Sequence, residues 1–145
     1  MDHKEIRFRI VHCLYLKYYS DQLGHIQPTQ SIISESGLQK IDKNEVNGNL
    51  IYLSERGYIK GEFFLGSVEP AAIMITSYGI DYIEQIMNNL IVAINRGHIA
   101  VRPTDELRNI LQLSGPTVKT KKLIEYLQND PSWDNVVGLI RNQNY

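Results

Sequence analysis

The chain has 145 residues, 43% hydrophobic and 21% charged, with a net charge of -1, the proportions of a globular protein able to bury a core. That balance excludes a disordered tail, and it excludes a non-specific DNA coater, whose affinity rests on a clear excess of Lys and Arg over acids. No apolar run approaches the ~18 residues of a membrane span, the charged start MDHKEIRFRI lacks the features of a secretory signal, and the one cysteine, Cys13, fits a reducing, cytoplasmic setting without an internal disulfide.

Residues 4–19 predict a helix. Ile6, Ile10, Cys13 and Leu14, continuing to Lys17 and Tyr18, keep the spacing of one buried face, and Asp2 is placed to cap its start. Phe8, Tyr15, Tyr18 and Tyr19 make this helix aromatic, which suits core and dimer packing. Residues 20–24 read as its stop and a loop. Pro28 suits the first turn of a short helix over 29–36 that carries Ile32 and Ile33 and ends at Gly37. Asp42 with Glu45 three residues on forms a capping box and opens a third helix over 43–56, with Val46, Leu50 and Leu53 inside and Gly57 at its close.

After Gly57 the pattern changes period. Residues 58–65 and 71–76 are apolar, aromatic and β-branched, and a Gly/Pro turn separates them, which predicts a hairpin. Thr76 or Ser77 then caps a long helix to Asn95 with a stripe of Ile83, Ile86, Met87, Leu90 and Ile94. Three short helices follow, over about 105–113, 118–129 and 130–141, the first capped by Thr104 and the last opened by Asp130-Pro131. The fold class expected is mainly α with a small β-hairpin wing, arranged as a domain over 1–95 and a helical extension over 96–145 for packing or dimerisation.

Three local patterns carry a resemblance. Val46-x-x-x-Leu50-x-x-Leu53-x-x-x-Gly57-Tyr58-Ile59, Ile75-Thr76-x-x-Gly79 and Ile32-Ile33-x-x-x-Gly37-Leu38 together resemble the winged helix-turn-helix family of transcriptional regulators over about residues 4–95. The resemblance implies a DNA-binding regulator of transcription whose third helix lies in the major groove and whose hairpin is a wing.

With Val46, Leu50 and Leu53 inside, the opposite face of the third helix is expected to carry Lys43, Asn44, Asn47, Gly48, Ile51 and Tyr52. Asn pairs with the N6/N7 edge of adenine, Lys43 reaches a phosphate or a guanine, and Gly48 admits close backbone approach. Tyr52 and Arg56 suit backbone phosphates, and Lys60 sits at the base of the wing. The expected partner is double-stranded DNA, bound by a homodimer formed through the helix at 77–95 and the C-terminal helices. A fold-back of residues 105–141 over the same stripe is the monomeric alternative. The charge distribution matters here: residues 1–95 hold 8 Lys/Arg against 11 Asp/Glu, and residues 96–145 hold 7 against 5. An acidic module with an apolar wing also suits a protein-interaction module without DNA binding. Lys119-Thr120-Lys121-Lys122 reads as a solvated basic face. No Gly-rich phosphate loop, metal-ligand spacing or nucleophile in a recognisable setting is present, so neither catalysis nor a metal or cofactor is expected.

Overall fold

The structure is a computed structural model that describes residues 1–20, 26–62 and 69–143. Its chain order is α1 (His3–Ser20), β1 (Gln27–Pro28), α2 (Thr29–Glu35), α3 (Lys43–Glu55), β2 (Ile59–Glu62), β3 (Ala72–Ile75), α4 (Ser77–Asn95), α5 (Asp105–Leu111), α6 (Pro116–Gln128) and α7 (Trp133–Arg141). The chain divides into two compact units, Met1–Ile83 and Glu84–Tyr145, and the division falls inside α4. Among the described residues no helix is long and apolar enough to cross a membrane.

In the first unit α1 packs on α2, α3 and β3. That many-sided contact buries more than the one stripe expected. Ile6, Ile10 and Leu14 are joined by a second row, Phe8, Val11 and Tyr15, while Cys13 and Tyr18 stay half-buried. Each fully buried side chain of this size stabilises the unit by roughly 1.5–3 kcal/mol. Cys13 is therefore not the small core residue the spacing suggests. Its thiol lies 3.9 Å from a Glu35 carboxylate oxygen, and burial, with Glu35 next, pushes its pKa up to about 11.

The start of α3 follows its cap. Asp42 accepts hydrogen bonds from the N–H groups of Asn44, at 2.8 Å, and Glu45, at 3.3 Å, which satisfies two of the donors that a helix start leaves free. Val46, Leu50 and Leu53 are buried as expected. Gly57, at φ +78°, ends the segment and turns it into β2.

Three antiparallel strands form one sheet in the order β1-β3-β2. In β2 and β3, Ile59 faces Ile75 and Lys60 faces Met74; in β1, Gln27 faces Ile73. The expected hairpin is thus present over 59–62 and 72–75; Tyr58 lies just before β2, and residues 63–68 of the expected strand and turn lie outside the described residues. β1 was not expected. Pro28 belongs to it and then serves as the N-cap of α2, at φ -58° and ψ 131°, instead of sitting in the first turn. An extended N-cap is open to proline, whose ring fixes φ and which here need not donate.

In the second unit the Thr104 hydroxyl accepts from Leu107 N at 3.1 Å and caps α5. α5 ends at Leu111 and Pro116 is the first residue of α6, so the break expected at 114–117 lies two residues earlier, at 112–115. Pro131 lies in the turn before α7, where Asp130 accepts from Ser132 N, and α7 begins at Trp133. Leu107, Ile110, Leu123, Ile124, Leu127, Val136 and Ile140 are buried. Along α4, the residues of the stripe expected to meet a second copy divide: Ile83, Ile86, Met87 and Leu90 are buried, and Ile91 and Ile94 are half-buried.

Candidate nucleic-acid interface

Helix α3 presents an exposed row. Asn44, Gly48, Ile51 and Glu55 are exposed, at the four- and three-residue steps of a helical face. A Cβ added at Gly48 would meet nothing within 4 Å, so the backbone is bare there. Lys43 opens the helix beside this row and is 75% exposed, with its ammonium 3.5 Å from Glu69. Glu69 also accepts from Gln30 of α2, so one carboxylate bridges the starts of both helices. An exposed pair of this kind is worth at most ~1 kcal/mol and exchanges readily for a phosphate.

The rest of the expected surface divides. Asn47 is only 8% exposed, which corrects its placement on the outer face. Its position, one residue after Val46, turns it into the side of α3 that packs inward, and its Oδ1 is buried without a hydrogen-bond partner among the described residues. Tyr52 is half-buried, and the Arg7 guanidinium lies 3.5 Å from its ring centroid. Its ring is thus engaged by a cation of α1. Arg56 is exposed at the C-cap of α3, with its guanidinium 5.8 Å from the Tyr58 ring centroid. Lys60 is exposed on β2. The arrangement leaves Lys43, Asn44 and Gly48 at the start of α3, and Arg56 and Lys60 after its end.

A residue the sequence reading passed over organises this surface from below. Asn49 is buried. Its Oδ1 accepts from Arg7 Nε at 2.8 Å, and its Nδ2 donates to Glu45 O at 2.8 Å and lies 3.0 Å from His3 Nδ1. The network ties α3 to α1 and holds Arg7 over Tyr52. Its signal was available: position 49 lies three residues after Val46 on the buried face, and a buried amide needs partners. Between α2 and α3 a groove of about 260 Å³ is lined by Gln30, Ile33, Leu38, Ile41, Lys43 and Val46.

Compared with known protein families, curated proteins and solved structures, the chain has no match.

Proposed function

We propose that the unit Met1–Ile83 is a winged helix-turn-helix module and that the chain binds duplex DNA in the cytoplasm as a regulator of transcription. The observation that carries this reading is the exposed start of α3, where Lys43, Asn44 and the bare backbone at Gly48 stand together. The element order α1-β1-α2-α3-β2-β3, with the sheet ordered β1-β3-β2, supports it. A helix N-terminus with exposed amide and cationic side chains suits the base edges of a major groove. Arg56 and Lys60 then suit flanking phosphates, Tyr52 serves as packing between α1 and α3, and Asn47 has no contact with DNA. Two copies on one duplex, as a homodimer, would double the few cations that each brings.

Fluorescence anisotropy with a labelled random-duplex pool at low salt tests the reading. Saturable binding is expected, with Lys43→Ala weakening it for all sequences and Asn44→Ala relaxing sequence preference by ~1–3 kcal/mol. Asn47→Ala is expected to leave sequence preference unchanged. A second reading, a protein-interaction module, is favoured by Ile51 and Glu55, which share the outer row of α3. An apolar side chain and a carboxylate there suit a protein surface better than a phosphate backbone. No anisotropy change on any pool at low salt selects it.

A further inference from the structure

The unit Glu84–Tyr145 contains a cleft of about 980 Å³ between α5 and α6, with the turn before α7 in its lining. The size is that of a small-molecule site. Its charged lining is Arg102 and Lys122 against Glu106, Glu125 and Asp130, with Ile110 as an apolar wall. The acids outnumber the bases.

Asp130 differs from the other acids of the cleft in its burial. It is 8% exposed, whereas Glu106 and Glu125 lie open to solvent. Its Oδ2 accepts from Ser132 N at 3.0 Å, but Oδ1 is buried and has no hydrogen-bond partner among the described residues. Arg102 Nε stands 3.7 Å from Oδ1, on a side chain that is 73% exposed. That distance is outside hydrogen-bond range. Ser132 first, and Arg102 less, hold the Asp130 carboxyl below the ordinary aspartate range, so it is ionised at neutral pH. An ionised oxygen taken out of water and met by a cation beyond hydrogen-bond range keeps part of its desolvation cost, and a ligand that brings a donor within range removes it.

We propose that this cleft binds a small organic amine, whose ammonium group donates to Asp130 Oδ1 and takes the place of Arg102. The alkyl part of the amine lies along Ile110, and Glu106 and Glu125 at the rim attract further positive charge. Binding is reversible and non-covalent. The site stands independently of the nucleic-acid reading, because its residues belong to the second unit alone.

Amide NMR spectra of the full chain, titrated at fixed ionic strength with methylamine, putrescine and spermidine and separately with inorganic phosphate, test this. Saturable shifts centred on Asn109, Tyr126 and Asn129 are expected with at least one amine. Asp130→Asn keeps an oxygen for Ser132 N and removes the charge; affinity is expected to fall tenfold or more. Arg102→Ala removes the competing cation, and affinity is expected to rise severalfold. The proposal is overturned by no saturable response to any of the three amines, by shifts centred outside the cleft, by phosphate saturating where amines do not, or by unchanged affinity in Asp130→Asn. If that variant fails to give a folded spectrum, Arg102→Ala decides: tighter amine binding sustains the site, and unchanged or weaker binding overturns it.

Discussion

Gly79 is held by a close approach of two backbones. A Cβ there would stand 2.3 Å from the Tyr58 carbonyl oxygen and 2.7 Å from Ile75 Cγ1, and the first of these cannot rotate away. Thr76 makes the same junction from the other side: its hydroxyl donates to Gly57 O and accepts from Gly79 N at 3.2 Å. The Thr76-x-x-Gly79 pattern thus has a steric and a hydrogen-bonding cause in this chain. Gly79→Ala is expected to destabilise by about 1–3 kcal/mol through overpacking, read from urea melts; a midpoint unchanged from that of the parent chain would show that the start of α4 backs away freely. His12 makes a second case. Its ring stacks on Phe8 at 5.4 Å, and its Nε2 is buried without a hydrogen-bond partner among the described residues. Burial first, and Arg9 second, lower its pKa from 6.5 to about 4. The unfolded chain therefore takes up a proton below pH 6.5 that the folded chain refuses until about pH 4. Stability from this residue is complete above that window and falls as pH drops through it, by on the order of 3 kcal/mol in all. Melts at pH 7.5, 5.5 and 4.5 are expected to show this fall in the parent chain and a smaller one in His12→Leu. Equal losses in both would assign the acid sensitivity to other groups.

At the scale of the element, α3 sets both the core and the candidate surface, so errors in its rotation propagate to function. Leu53 is 1% exposed, and Leu53→Ala is expected to cost ~2–5 kcal/mol through lost transfer and a residual cavity. A calorimetric melt without such a loss would reverse the inner and outer faces, and the outer row Asn44, Gly48, Ile51 and Glu55 with them. What was legible in the sequence was local. The Asp42 cap, the Val46-Leu50-Leu53 spacing, the glycine stops at Gly37, Gly57 and Gly97, each with positive φ, and the Thr104 cap all depend on residues within one turn of each other. What was not legible is set at a distance. β1 is two residues long and exists through Gln27 facing Ile73, so nothing near Gln27 announces it and Pro28 is naturally read as a helix start. The row Phe8, Val11 and Tyr15 is buried because α1 is contacted on several sides, which one-face periodicity does not encode. The candidate site divides in the same way: Lys43, Asn44, Gly48, Arg56 and Lys60 are exposed where placed, whereas Asn47 sits at the edge of the helical face, where a rotation of a fraction of a turn moves a side chain from solvent to core.

For the whole molecule the decisive quantities are how much apolar surface one copy leaves open and how many cations it brings to a duplex. Ile83, Ile86, Met87 and Leu90 are buried in the single chain, and the large apolar residues left exposed on α4 are Tyr78 and Val92. On α4, two scattered side chains are far short of the contiguous apolar core of a permanent dimer through that helix. Sedimentation of the free protein at micromolar concentration is accordingly expected to give 16.7 kDa. On DNA the balance differs. Lys43, Arg56 and Lys60 are the exposed cations of the candidate surface, and Glu45, Glu55 and Glu62 lie among them. One copy neutralises about three phosphates, for a slope of log K against log salt of roughly -3. That is a weak electrostatic hold. Two copies on half-sites one helical turn apart, ~34–36 Å, double the contacts and add cooperativity without needing a preformed interface. The expected outcome is a 2:1 complex on a duplex of two half-sites, with a salt slope near twice that on a duplex carrying one. A 1:1 complex at saturation on the longer duplex, with the slope unchanged, would remove the paired mechanism; a free dimer would show that α4 offers more surface than Tyr78 and Val92 supply.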